Sequence, residues 1–106
     1  MVDAAREAGT FVRGQTRTDL EHNRMLVLAL VRLVEVIGEA ASRVSEDTRR
    51  RIPSIPWPHV VAMRNRLILG YYEVDLDRVW DTIVNDLPPL IAAVEAHLAM
   101  DNDEPL

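Results

Sequence analysis

The sequence predicts an all-α bundle, and three observations carry that prediction. Apolar residues recur at helical spacing in one segment after another; Pro, Gly and cap-forming residues punctuate the intervals; and no segment alternates apolar and polar residues as a half-buried strand would. At 106 residues the chain is one domain's worth, because single hydrophobic cores organise about 100–150 residues. Residues 1–106 are therefore expected to form a single helical domain. Apolar residues make up 48% of the chain and charged residues 27%, too hydrophobic for disorder and too charged for a membrane protein. There is no cysteine, which excludes a disulfide framework, a thiolate metal site and a cysteine nucleophile and makes a reducing cytoplasm the expected compartment. Met1-Val2-Asp3-Ala4-Ala5-Arg6 carries charges where a secretory leader needs an apolar stretch.

In residues 2–13, Val2, Ala5, Ala8 or Gly9, and Val12 share one helical face, and Gly14 follows as a stop. Thr18-Asp19-Leu20-Glu21 has the capping-box form, so a long helix is expected over residues 20–44, where no proline interrupts. At roughly 1.5 Å per residue it would span close to 40 Å. Its charges, Glu21, Arg24, Arg32, Glu35, Glu39 and Arg43, fall along one narrow stripe that reads as a solvated face, with Glu39 and Arg43 in the favourable i,i+4 order. The rest of that helix is so apolar that it must be covered on several sides, as the centre of a bundle or by self-association as well. Residues 45–52 can form one more helical turn, and Pro53, Pro56 and Pro58 then enforce an irregular connector. A third helix is expected over residues 58–69, started by Pro58 and ended by Gly70. Asp75 can cap a fourth, in which Leu76, Val79, Trp80, Ile83 and Val84 have amphipathic spacing. Pro88-Pro89 should break or kink the chain before a last helix over residues 90–100, and the acidic tail 101–106 is expected to fray.

The net charge of −5 is unevenly spread. Residues 1–42 hold 5 Arg against 6 acids, residues 43–66 hold 6 against 2, and residues 67–106 hold 1 against 9, so the middle is basic and the last third acidic. A global electrostatic grip on nucleic acid is not expected, but an Arg patch in the middle can contact a few phosphates. All 12 basic residues are Arg. His22, His59 and His97 stand alone, with no second ligand at i,i+3 or i,i+4 spacing, so no metal site and no cofactor are expected. No phosphate-cradling glycine loop or nucleophile elbow is present. The informative stretch is residues 56–72, where Val60, Met63 and Leu67 make a core stripe and Arg64, Asn65 and Arg66 gather polar groups just before Gly70-Tyr71-Tyr72.

Five separated blocks, Ile37-Gly38-Glu39-Ala40-Ala41, Pro53-Ser54-Ile55-Pro56-Trp57, Met63-Arg64-Asn65-Arg66-Leu67-Ile68, Gly70-Tyr71-Tyr72-Glu73-Val74-Asp75 and Val79-Trp80 with Asn85-Asp86-Leu87-Pro88, resemble in order and spacing the HepT family of HEPN ribonuclease toxins. The resemblance runs from about residue 20 to residue 90. It implies a HEPN-type bundle of four to five helices that forms homodimers, with a metal-independent endoribonuclease site built from Arg, four residues, His, any residue, Tyr. It also implies a partner, the MNT-type nucleotidyltransferase antitoxin, which silences the toxin by adding AMP to the motif tyrosine. Carried over, Arg64 is the motif arginine that would hold the scissile phosphate, Tyr71 is the motif tyrosine and AMP acceptor, and Asn65 and Gly70 support them.

The motif histidine is absent: its position is Leu69, which has no titratable group to act as general acid or base. His59 lies ten residues upstream, about 15 Å along a helix. The first helix is also about two turns shorter than the family's. The chain accordingly reads as a toxin of a HEPN/MNT toxin–antitoxin pair in a catalytically disabled copy, with RNA as the substrate of the active form. Leu69 is either a disabling change in a selected or recombinant copy or the mark of a natural degenerate homologue. A catalytically silent helical dimer that binds a nucleotidyltransferase is the alternative, and an unrelated helical adaptor the generic one.

Overall fold

Small side chains open the chain: α1 (Val2–Val12) buries Ala4, Ala5 and Ala8, whose size lets it lie close against the next long helix. In the computed structural model, which describes residues 1–69 and 73–100 and gives Ile68, Leu69 and Met100 by their backbone alone, α1 ends as expected at Gly14. That residue has φ 77, a left-handed conformation that glycine takes without the strain a Cβ would bring.

The single long helix expected from residue 20 is instead two, α2 (Asp19–His22) and α3 (Arg24–Ser42), parted at Asn23 with φ −133 and ψ 85. The reason is a competition between caps. Asn23 Oδ1 accepts from the Leu26 amide at 3.0 Å, and Asp19 Oδ2 takes the Thr16 amide at 2.7 Å, whereas Thr18 is itself helical and makes no cap bond. Asn and Asp are better caps than Thr, and the Thr18 box does not form. The core face of α3, Val27, Leu30, Val34, Ile37, Gly38 and Ala41, packs against α1, α2 and the segments that follow, so α3 is the central helix. Its charged stripe carries the expected Glu39–Arg43 pair at 3.3 Å.

Helix α4 (Glu46–Arg51) is capped by Ser45, whose Oγ accepts from the Thr48 amide at 3.2 Å. Acids open it and arginines close it, which suits the helix dipole. Arg49 reaches back to the Ala41 carbonyl at 2.8 Å with its guanidinium 5.6 Å from the Trp57 ring centre, and the buried Trp57 donates through Nε1 to the Ile52 carbonyl at 3.2 Å. The proline-rich connector is thereby clamped to the end of α3.

The helix expected over 58–69 stops early. Helix α5 (Trp57–Val61) gives way at Ala62 to a 3₁₀ turn (Met63–Arg66), and the chain then extends as β1 (Ile68–Leu69), paired antiparallel with β2 (Glu73–Val74) in the register Ile68↔Val74 and Leu69↔Glu73. Ile68 and Val74 favour extended backbone, but each strand is too short to alternate visibly, which is why no strand is expected from the sequence pattern. The Asp75 amide closes the pair on the Leu67 carbonyl at 2.7 Å.

Asp75 caps α6 (Leu76–Asp81) as expected, Oδ1 accepting from the Arg78 amide at 3.1 Å. The expected break at Pro88-Pro89 does not occur. Helix α6 passes through a π turn (Thr82–Asp86), with the Leu87 amide bonded to the Thr82 carbonyl, directly into α7 (Leu87–Met100). Both prolines fall in the first turn of α7, where missing amide hydrogens are tolerated, and the wider turn absorbs them. Buried residues from α1 to α7 form one cluster that includes Leu30, Ile37, Trp57, Leu67, Ile83 and Val94. The described residues thus hold seven α-helical segments where four to five were expected, the surplus arising at Asn23 and in the one-turn α4. Among them no helix is long and apolar enough to cross a membrane.

Candidate active-site groove

A close approach between two backbones positions the site. A Cβ built on Gly38 would lie 3.1 Å from the Val61 carbonyl oxygen and 3.4 Å from that of Val60, so the end of α5 rests closely on α3 at a point that a side chain would crowd. The 3₁₀ turn continues along α3, anchored by Met63 and Leu67, which are 2% and 0% exposed. Between these anchors Arg64, Asn65 and Arg66 are held at the surface, as the core stripe of the sequence requires.

Arg64 Nε lies 3.1 Å from Glu35 Oε1 on α3. The two face a groove of about 650 Å³ lined also by Arg32, Gly38, Glu39, Arg43 and Asn65. The charged stripe of α3 is therefore one wall of this groove rather than only a solvated face, and it adds Arg32, Arg43 and Glu35 to the residues singled out from sequence. Three arginines against two glutamates leave the groove with a cationic balance. Because Glu35 engages Nε, the terminal nitrogens of Arg64 remain for an incoming anion, and a planar guanidinium presents them as a fork suited to phosphate. The Arg64 side chain is 51% exposed, so a ligand can reach it.

Of the other site residues, Leu69 lies in β1 with its backbone opposite Glu73. The helix expected over residues 58–69 does not reach it, because the α-helix has ended at Val61. Gly70 and Tyr71 lie outside the described residues. His59 meets the motif turn through a long side chain: Arg66 Nη1 is 3.5 Å from His59 Nε2, and Asp86 Oδ2 is 3.8 Å from the same nitrogen. Among the described residues no three His, Cys, Asp or Glu side chains gather as metal ligands.

A family model described as HepT-like, Ribonuclease HepT-like, matches residues 1–97. A candidate RNase of Methanocaldococcus jannaschii is 30% identical over 95 residues, covering 90% of this chain and 87% of the relative. A probable ribonuclease HepT of Thermococcus cleftensis is 40% identical over 62 residues, 58% of this chain and 56% of the relative. A candidate RNase of Caldanaerobacter subterraneus subsp. tengcongensis is 33% identical over 79 residues, 74% of this chain and 70% of the relative. No solved structure matches.

Proposed function

We propose, for a chain that belongs to the HepT-like ribonuclease family, that it is the toxin of a HEPN/MNT toxin–antitoxin pair, descended from a metal-independent endoribonuclease and catalytically disabled in this copy. The observation that carries the reading is Arg64, held at the mouth of an Arg-lined groove by Glu35 at 3.1 Å. There its fork can take the scissile phosphate and stabilise charge developing on it. Asn65 lines the same groove and supports the bound strand. In the active form a histidine at position 69 moves the protons, and Leu69 cannot. Tyr71 is the acceptor for AMP from the MNT-type nucleotidyltransferase; the added bulk and negative charge compete with RNA for Arg64. No metal or other cofactor enters the reaction. The chain works in the cytoplasm as one domain in a homodimer, with Met25, 83% exposed, and Leu28, 50% exposed, contributing apolar surface to the contact.

Cleavage of single-stranded RNA by this chain and by its Leu69→His variant tests the reading. Loss of a general acid or base costs about 10²–10⁴ in rate, so Leu69→His should restore activity by that factor and Arg64→Ala on that background should abolish it. Mass spectrometry after incubation with antitoxin and ATP should place the added AMP on Tyr71 and not on Tyr72. Leu69 itself favours a second reading, a silent helical dimer that only binds the nucleotidyltransferase. A folded, dimeric Leu69→His variant without activity would establish it.

A further inference from the structure

A second pocket, of about 310 Å³, lies between α5 and the π turn and belongs to no part of the groove. Its floor is apolar, with Val60, Met63 and Leu90; its rim carries His59, Asn85 and Asp86. We propose that it is a subsite for a guanine base of single-stranded RNA, next to the nucleotide whose phosphate Arg64 holds; the inference rests on the ribonuclease reading above.

Three features select this occupant. The volume is at the lower end for small-ligand sites, and the combination of apolar floor and polar rim suits a flat base buried on its faces and read along one edge, as unpaired RNA bases are. The rim then selects among bases. Asn85 Nδ2 donates to Asp81 Oδ1 at 2.6 Å, which holds the Asn85 side chain on the rim beside the Asp86 carboxylate. The two oxygens of that carboxylate match the adjacent N1–H and N2–H₂ donors of guanine, and no other RNA base presents two adjacent donors on that edge. Finally, Arg66 Nη1 lies 3.5 Å from His59 Nε2, the nitrogen that is 3.8 Å from Asp86 Oδ2, so a cation stands near the rim for the adjoining phosphate. The π turn that carries Asn85 and Asp86 is a helix irregularity of the kind found at functional sites.

Guanosine, adenosine and uridine 5′-monophosphates titrated into the ¹⁵N-labelled chain, followed by amide shifts, test the proposal. The guanosine nucleotide should shift the amides of Ser54, Asn85 and Asp86 saturably, at concentrations about fivefold or more below the others, as one base-edge hydrogen-bond pair implies. Asp86→Asn, which turns an acceptor into a donor, should abolish that preference, and Asn85→Ala, which keeps the charge, should weaken it. Equal responses to all nucleotides, or shifts confined to Arg32, Glu39 and Arg43 in the groove, would overturn it. The readout needs no cleavage: guanosine-selective shifts with an inactive Leu69→His variant leave the pocket standing and the ribonuclease reading fallen, while an active variant without the preference does the reverse.

Discussion

Gly9 and Gly38 both sit inside helices and answer to opposite constraints. A Cβ on Gly9 meets nothing within 4 Å, and alanine is favoured over glycine in a helix by about 0.8–1 kcal/mol; Gly9→Ala should raise the urea midpoint by roughly 0.5–1 kcal/mol of stability. At Gly38 a Cβ presses on the Val61 backbone carbonyl, which cannot rotate away as a side chain can, so Gly38→Val should cost about 1–3 kcal/mol and displace the turn that carries Arg64. Arg64 itself is a surface residue. Its half-exposed pair with Glu35 is worth under about 1 kcal/mol, so Arg64→Ala should leave the urea midpoint nearly unchanged. The same variant should lower the slope of log affinity for single-stranded RNA against log salt by about 0.7, the value for one phosphate contact. A large stability loss with an unchanged slope would make Arg64 structural.

Helix boundaries were where the sequence misled, and the caps show why. Asn23→Ala removes the acceptor of the Leu26 amide and should cost about 1 kcal/mol in chemical denaturation; Thr18→Ala, at a residue that caps nothing, should cost a few tenths at most. Both residues are good cap types, and local sequence does not say which of two neighbouring caps prevails; that depends on where Leu20 and Val27 must be buried. The same limit applies at the other end of the motif. Val60, Met63 and Leu67 keep a helical period and are buried as their spacing requires, yet the backbone leaves the α-helix at Ala62, because the pairing of Ile68 with Val74 is made by residues outside any periodic window. Half of the groove was legible and half was not. Arg64 and Asn65 stand in a motif, while Glu35 and Arg32 join them only because Gly38 lets two distant segments touch, a contact that periodicity along either segment does not encode.

Across its thinnest direction the backbone spans 18 Å, room for two layers of helices with axes about 8–10 Å apart but not for three, so a central helix cannot be covered on every side by its own chain. Light scattering at micromolar concentration should give the mass of two chains, and replacing Met25 and Leu28 together by Glu should give one, with little loss of stability because both side chains are exposed. A monomer before substitution would remove the dimer from the functional reading. The central place of α3 has a further consequence, for motion. Leu30, Val34 and Ile37 are 0% exposed on a helix packed against α1, α5 and α6, so their amide hydrogens should exchange with solvent only when the whole molecule opens. The turn bearing Arg64 is held by the weaker 3₁₀ bonds of Asn65 to Ala62 and Leu67 to Arg64, and should exchange through local opening. Hydrogen exchange would then find the groove with one slow wall and one fast wall: Glu35 fixed on the part of the protein that opens last, and Arg64 carried on a turn that opens ahead of the rest.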